Sequence, residues 1–352
     1  MSKKKITFVV NPISGTQGKE QIVRQIENRL DREQYDFDII YTQYAGHGHL
    51  IAANCAENHN YAVVAIGGDG TINEVARALI HTDTALGIIP CGSGNGLARH
   101  LHIPLTSRKA IDILNRGNVE VIDYGKINGQ IFFCTCGVGF DAFVSLKFAE
   151  AGKRGPLSYV EKALTQSLNY KPETYELSID GTIERYNAFV IACGNASQYG
   201  NNAFITPRAS LTDGLLDITV LLPFTPLEIP ELSFQLFNKT IDQNSHIKTF
   251  RCKSVHIHRT QAGVAHFDGD PIMMDKDIEV NIVRSGLKVI TPEEPESNIH
   301  DENLIERAQE TFINGLKQIN DEIFEGIAQK NKKMFGKGKE QFKKFTDTFN
   351  IP

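Results

Sequence analysis

A glycine loop set between an apolar strand and a helix constrains this chain more than any other feature. Gly67-Gly-Asp-Gly-Thr71 follows the run Ala62–Ile66 and opens a helix that extends through Ile80. A strand apolar at every position must be covered on both faces, which is the environment of a parallel sheet layered with helices. The unit recurs on either side. Residues 6–10 (ITFVV) end in the loop Asn11-Pro-Ile-Ser-Gly-Thr-Gln-Gly18, and a helix is expected over 19–32, where Ile22, Ile26 and Leu30 recur at spacing four. The strand at 86–90 runs into Cys91-Gly-Ser-Gly-Asn-Gly96 and a further helix start. A strand at 36–42 and a helix from about 48 to 58 complete the alternation, which predicts a doubly wound parallel sheet.

The pattern changes near residue 122. From 121 to 290 strands follow one another (VIDYGKI, IFFCTC, YELSID, AFVIACG, LLDITVLL, SVHIH, IEVNIV), with hairpin signals at Asn128-Gly129 and Asp180-Gly181 and helices expected near 156–168 and 226–242. This half reads as an antiparallel sheet or sandwich. Beyond 296, Ile305, Ala308, Phe312, Leu316, Ile319, Ile323 and Ile327 recur every three or four residues, as on an amphipathic helix. The expected fold class is therefore α/β, with three parts. An N-terminal doubly wound, Rossmann-like domain covers 1–122, completed by a returning segment at about 286–295. An antiparallel β-rich sandwich domain covers 123–285, and a C-terminal helical extension covers 296–352. A length of 352 residues fits two such domains plus an appendage.

A net charge of −5 argues against a nucleic-acid partner held by a global basic field. Cys55, Cys91, Cys134, Cys136, Cys193 and Cys252 are scattered, with no C-x-x-C pair, and are expected as buried free thiols of a reducing compartment. Cys134 and Cys136, alternating on one strand, are expected to point the same way. The apolar run at the N-terminus is five residues long, too short for a signal-peptide core, and no stretch reaches the roughly 18 apolar residues of a membrane span. The expected location is the cytoplasm, with peripheral contact on the inner face of the membrane.

In an open parallel sheet, ligands bind at the carboxyl ends of the strands. Three loops at that edge, Asn11–Gly18, Gly67–Asn73 and Gly92–Gly96, are dense in Gly, Ser, Thr and Asn. Glycine lets backbone N–H groups approach an anion, and a helix N-terminus adds a favourable dipole, so the set points to a polyphosphate ligand; plain strand-to-helix turns are the alternative. It is no Walker A loop, because Gly18-Lys19 is followed by Glu20 and Ile13 stands where that motif needs its first Gly. Gly137-Val-Gly-Phe-Asp-Ala142 matches the loose dinucleotide pattern, but in the antiparallel half and without a following βαβ unit.

VVNPISG (9–15), GGDGTINEV (67–75), IIPCGSGNGLAR (88–99), GVGFDA (137–142), LTDGLLDI (211–218) and FDGDP (267–271) together resemble, in kind and order, the lipid kinases of the diacylglycerol kinase catalytic family. That family sits in a superfamily with sphingosine kinases, NAD kinases and phosphofructokinases. The resemblance spans roughly residues 5–292 and leaves the last 60 uncovered. It implies an ATP- and Mg²⁺-dependent transfer of a phosphoryl group to a hydroxyl of a membrane lipid, such as a diacylglycerol or a sphingoid base.

On this resemblance Gly67, Gly68, Asp69, Gly70, Thr71, Ile72 and Asn73 hold the ATP phosphates, with Asp69 facing Mg²⁺ through water. Asn11, Ser14, Gly15, Thr42, Gly92, Ser93 and Asn95 complete the nucleotide cleft. Glu74, in the first turn of the same helix, either joins that site or caps a helix. Asp270 stands where the family has an acid, usually Glu, that is taken as the general base for the acceptor hydroxyl; here it is one methylene shorter. A hairpin turn alone would account for Asp268-Gly269 but not for this second acid, and Asp69 is the next candidate base. The Asp213 carboxylate, with backbone carbonyls near Ser210 and Leu215, is implied as a structural Mg²⁺ site, a plain Asp-Gly turn being the alternative. Asp141 stands where some sphingosine kinases place an acid near the lipid amine.

Two other readings keep the same motifs. An NAD kinase shares Gly-Gly-Asp-Gly-Thr, but the Pro90–Asn95 motif and the long β-rich half disfavour it. A catalytically inactive lipid-binding protein would not need acids at 69, 213 and 270. His47 and His49 form an alternating pair, as do His256 and His258; the latter are expected on the exposed face of a strand rather than as metal ligands. Residues 330–352 carry seven Lys interleaved with Phe335, Phe342, Phe345 and Phe349, a pattern suited to an anionic lipid surface. A helix packed on the kinase part, or on a second copy of the chain in a homodimer, is the alternative.

Overall fold

The structure is a computed structural model and describes residues 3–15, 18–151 and 170–293. The helices expected at 156–168 and beyond 296, and the basic segment 330–352, lie outside those residues. Strands β1 (Lys4–Val10), β2 (Tyr35–Tyr41), β3 (Ala62–Gly67) and β4 (Ala85–Pro90) pair in parallel in the order β2-β1-β3-β4. Every residue of β3 and β4 is buried, as apolar strands covered on both faces require. The crossover helices are α1 (Lys19–Arg29), α2 (His47–Glu57) and α3 (Asp69–Leu79), with α4 (Gly96–His100) and α5 (Ser107–Arg116) after β4. Helix α2 packs on α3, and α1 packs on α5, where Arg29 grips Asp112 through both carboxylate oxygens at 2.7 and 2.8 Å.

The second half is a sandwich. Six strands, β7 (Thr135–Gly139), β10 (Val190–Gly194), β11 (Leu216–Leu221), β12 (Ile247–Cys252), β14 (Gly263–Phe267) and β15 (Asp270–Met274), form one antiparallel sheet in the order β12-β11-β10-β7-β14-β15. It faces β5 (Val119–Ile127), β6 (Gln130–Phe132), β8 (Glu173–Ile179), β9 (Thr182–Ala188), β13 (Ser254–Arg259) and the first part of β16 (Asp277–Ile290). Between the layers lie Val138, Ile191, Ile218 and Ala265 from one sheet and Ile127, Leu177, Ile257 and Val280 from the other. Helices α6 (Phe140–Ala151) and α7 (Ile229–Phe237) complete the described elements.

Strand β16 belongs to both halves. Its first residues pair with β13, its length pairs antiparallel with β5, and Val289 pairs in parallel with Leu86 of β4. Leu287, Val289 and Ile290 therefore enter the core of the parallel sheet, whereas Ile278 and Val280 enter that of the sandwich. A bulge between Val283 and Leu287, with Ser285 at φ +51°, lets one strand serve two cores.

The hairpin signals hold. Asn128-Gly129, Asp180-Gly181 and Asp268-Gly269 each have positive φ at both positions, the geometry that matches the twist of paired strands. The run IFFCTC, by contrast, is not one strand. The chain leaves the ladder at Phe133 and Cys134, which separates β6 from β7. Cys134 accordingly packs in the core of the parallel sheet and Cys136 in that of the sandwich, so the two thiols do not share a direction. All six cysteines are buried and free. The long helix expected over 226–242 is cut down to α7, flanked by single 3₁₀ turns at 226–228 and 241–243.

Candidate active site

The three glycine loops interlock at the carboxyl ends of β1, β3 and β4. Asn11 donates through Nδ2 to the Thr71 hydroxyl at 2.9 Å, and the Ser14 hydroxyl donates to the Asn11 carbonyl at 3.1 Å. Gly15 adopts φ +68° and lies against the backbone carbonyl of Cys91, where a Cβ would collide. Gly68 and Gly92 touch: a Cβ on Gly92 would stand 2.7 Å from the Gly68 Cα. Asp69 crosses the gap, its carboxylate accepting the N–H groups of Asn95 at 2.9 Å and Gly96 at 2.7 Å. Asn95, at φ +51°, closes its own loop by accepting the Gly92 N–H at 3.0 Å and donating to the Gly92 carbonyl at 2.8 Å.

The N-terminus of α4 is thus already occupied by Asp69, whereas Gly68 at the start of α3 gives that helix no side-chain cap. Its first-turn N–H groups are ready for an anion, as are those of α1 behind the uncapped Gly18. Gly68, Asp69 and Gly70 are the accessible stretch of their loop, with Gly67, Thr71, Ile72 and Asn73 buried beneath. Ile72 is a core side chain, while Ser93 is exposed. Thr42 is half-buried, and its N–H donates to the Val10 carbonyl at 2.9 Å, where β2 ends beside β1. Glu74 does cap a helix, though not its own: Oε1 and Oε2 accept the N–H groups of Gly46 at 2.9 Å and Gly48 at 3.2 Å, at the start of α2. That brings a fourth loop, 43–48, to the same edge. Lys19 also ends up here by sequence, as the first residue of α1; its ammonium is buried without a partner among the described residues.

The second constellation is the β14–β15 turn. Asp268 turns inward and collects three backbone N–H groups, those of Phe133 and Cys134 at 2.8 Å and Thr135 at 3.1 Å. This is what breaks IFFCTC, since Phe133 and Cys134 must leave the ladder to converge with Thr135, the first residue of β7, on one carboxylate. Burial pushes the Asp268 carboxyl up to about 6 against the pull of those donors and of Arg77. Asp270, at the other end of the turn, is exposed and accepts no hydrogen bond from the described residues. Partial desolvation raises its carboxyl, opposed by the charges of Arg77 and His266 and helped by Glu74. The acid turn therefore lies within the field of two α3 residues, beside the helix that begins with the glycine loop.

Asp141, at the start of α6, is enclosed by the protein's own donors. Oδ1 accepts the Ala142 N–H at 2.7 Å; Oδ2 takes the Tyr199 hydroxyl at 2.8 Å and His266 Nε2 at 3.0 Å. His266 is 1% exposed, and its Nδ1 is buried without a partner among the described residues. Nothing in the sequence paired Asp141 with Tyr199 and His266, which meet only where the start of α6, the loop after β10 and strand β14 come together.

The Ser210–Leu215 loop forms a further constellation. Arg251 takes Oδ2 of Asp213 and reaches Asp217 at 3.3 Å, and Oδ1 of Asp213 accepts the Leu215 N–H at 2.9 Å. Ser210 spends its hydroxyl on Thr212 at 3.4 Å. A guanidinium stands beside the carboxylate that the resemblance assigns to Mg²⁺, in the loop whose carbonyls near Ser210 and Leu215 are the other implied ligands. No cluster of metal-ligating side chains occurs among the described residues. The acid that organises the loop is Asp123, 2% exposed, whose two oxygens accept the N–H groups of Gly214 and Ser285, each at 2.7 Å. His256 and His258 stand on one outer face beside Asp277, at 3.3 and 2.8 Å.

Residues 5–127 match the profile of the diacylglycerol kinase catalytic domain, and residues 134–291 match that of the YegS C-terminal NAD kinase beta sandwich-like domain. A diacylglycerol kinase of Mycobacterium tuberculosis is 31% identical over 297 residues, which covers 82% of this chain and 95% of that protein. The chain belongs to the diacylglycerol kinase family. A Bacillus subtilis diacylglycerol kinase is 26% identical, with 85% of this chain and all of that protein covered. The probable lipid kinase YegS of Salmonella arizonae is 30% identical over 65% of this chain and 78% of its own length. A crystal structure of a diacylglycerol kinase from Bacillus anthracis superposes with a TM-score of 0.65 at 19% identity, covering 83% of this chain and 98% of that one, and so shares the fold. Membership makes this diacylglycerol kinase family protein a phosphotransferase with an alcohol group as acceptor, a lipid kinase.

Proposed function

We propose that this enzyme transfers the γ-phosphoryl group of ATP to the hydroxyl of an uncharged membrane lipid of the diacylglycerol type. One observation carries the reading: Asp270, whose carboxylate accepts no hydrogen bond from the described residues, pairs across its turn with Phe267, whose ring lies under Arg77 of α3, the helix that begins at the uncapped Gly68. The α3 N–H groups at Gly68–Gly70 cradle the phosphates, and the Asn11–Gly15 loop and Asn95 keep that cradle in shape. The Lys19 ammonium, at the start of α1 and without a partner among the described residues, is a ready counter-charge for the polyphosphate.

Mg²⁺ enters with ATP and neutralises charge that develops on the transferred group. Asp69 fits a water-mediated contact to it, because its two backbone hydrogen bonds leave lone pairs on both oxygens. Asp270 accepts the acceptor's proton as the bond to phosphorus forms. The choice of an uncharged lipid follows from Asp141. Its oxygens already accept from Ala142, Tyr199 and His266, so the ammonium of a sphingoid base would have to displace internal donors. A neutral lipid asks nothing of it.

The parallel-sheet half (1–122 with the returning segment 286–295) takes the nucleotide and residues 123–285 take the lipid. Segment 330–352 supplies contact with an anionic membrane face. The test is a panel of dispersed lipids with labelled ATP and purified protein. Phosphorylation of a diacylglycerol, with a sphingoid base left unlabelled, is the expected result; labelling of NAD, or of no lipid at all, overturns the proposal.

A further inference from the structure

Arg77 lies two helical turns beyond Asp69 on α3, and the transfer chemistry assigns it no part. Its surroundings give it one. One guanidinium nitrogen donates to the Ile131 carbonyl of β6 at 3.3 Å. The guanidinium also stands over the ring of Phe267, 5.3 Å from its centre, and Phe267 is the residue paired with Asp270 across the β14–β15 turn. The Nε group is buried and has no partner among the described residues. A desolvated N–H of this kind is costly unless something in the working enzyme engages it.

We propose that Arg77 is a positioning residue for the general base: it braces the Phe267–Asp270 turn against α3, so that the helix carrying the phosphate loop fixes where Asp270 stands. The inference rests on the kinase reading above. Two anchors hold the turn. Asp268 ties it to residues 133–135 through three N–H groups, and Arg77 ties the neighbouring Ile131 and Phe267 to α3. Between them the turn has little freedom to move relative to the nucleotide loop.

The brace also acts through charge. The groups that face Asp270 are Arg77 and Glu74 from α3 and His266 from β14, the last held by Asp141 of α6. Arg77 is the permanently charged cation among them, and it opposes the desolvation that raises the Asp270 carboxyl. Its removal leaves Glu74 and desolvation acting in the same direction, with His266 alone opposed to them. Asp270 then stays protonated to higher pH, and a protonated base cannot accept the acceptor's proton.

The experiment is the pH dependence of kcat, at saturating ATP and diacylglycerol, for the wild type, Arg77→Gln and Arg77→Lys, with melting temperatures alongside. Wild-type turnover is the control for the kinase reading: if it phosphorylates no lipid, that reading fails before Arg77 is tested. With an active wild type, Arg77→Gln should move the acid limb of kcat upward by about one pH unit, so that its loss is near tenfold at the acid end and smaller at pH 8. Arg77→Lys keeps the charge and loses the fork. It should keep the wild-type limb with a lower plateau. A loss by Arg77→Gln that is uniform across pH and tracks its melting temperature overturns the inference, as does wild-type behaviour. If Arg77→Gln does not fold, Arg77→Lys decides alone: a lower plateau with ATP KM unchanged supports the brace, and an unchanged plateau refutes it.

Discussion

Asp268 offers the sharpest test of how this fold handles a buried acid. Its carboxyl is displaced from an ordinary value of 3.8 to about 6, because burial disfavours the ionised form more than three backbone N–H donors favour it. The folded protein therefore holds this proton more tightly than the unfolded chain does. Stability contributed by the protonated acid is complete below the unfolded value, and is lost as pH rises through about 6. The displacement corresponds to about 3 kcal/mol, and since the residue is half-buried rather than sealed, about 2 kcal/mol is the better expectation. Asp268→Asn removes the titration while nearly preserving shape. Its amide oxygen can serve two of the three donors, but its NH₂ then opposes the third, at a cost of about 1–3 kcal/mol that does not depend on pH. Urea unfolding of both proteins from pH 4 to 8 reads the difference directly, since every other titrating group is common to the pair. The wild type should lead by most at pH 4, and its lead should shrink by about 2 kcal/mol by pH 8. Stability profiles that run parallel across that range would refute the account of Asp268.

Other outcomes follow from the site. Asp270→Asn should lower kcat by roughly 10²–10⁴-fold with ATP binding retained, and the wild-type kcat should fall in acid above the ordinary carboxylate range, because desolvation raises this carboxyl; an unchanged kcat moves the base elsewhere. Asp69→Asn sets an NH₂ group against the N–H of Asn95 or Gly96, so nucleotide affinity and turnover should drop together while circular dichroism stays native; near wild-type turnover would remove Asp69 from the nucleotide site. Gly15→Ala forces a Cβ onto the Cys91 carbonyl at a positive φ, and should weaken ATP binding at least tenfold by calorimetry, whereas an unaffected Kd would show that the first loop does not shape the cradle. A chain ending at Gln329 should lose salt-sensitive cosedimentation with anionic vesicles yet phosphorylate detergent-dispersed lipid; vesicle binding equal to that of the full chain would make the tail structural.

The sequence made the architecture legible wherever a local rule decides the outcome. All-apolar strands ending in glycine loops can only be the buried strands of a parallel sheet, and three Asn-Gly or Asp-Gly pairs marked three hairpins. What escaped notice depended on long-range partners. Asp268 looked like a turn residue, and its capture of the Phe133, Cys134 and Thr135 N–H groups, which splits one apparent strand into two, has no local signature. Glu74 could join the nucleotide site or cap a helix, and only the packing of α2 on α3 shows which helix it caps. Asp213 carries a motif that suggests a cation, yet Arg251, 38 residues later, takes its charge. Asp123 and Lys19 had no motif at all; a buried charge is visible only once the fold has buried it.

Strand β16 has a mechanical consequence. Two domains joined by a peptide linker swing about that linker at little cost, and can be expressed apart. Here the parallel-sheet half and the sandwich half are stitched along one continuous backbone, with β5 laced to it on both sides of the Ser285 bulge. Any closing of the cleft must flex that ribbon, so its amplitude is set by the stiffness of a hydrogen-bonded ladder, with the bulge as the compliant point. A gene cut at residue 122 would strip β4 of its neighbour and leave an open sheet edge that recruits other chains. The two halves are therefore one body, separable by name but not by scission.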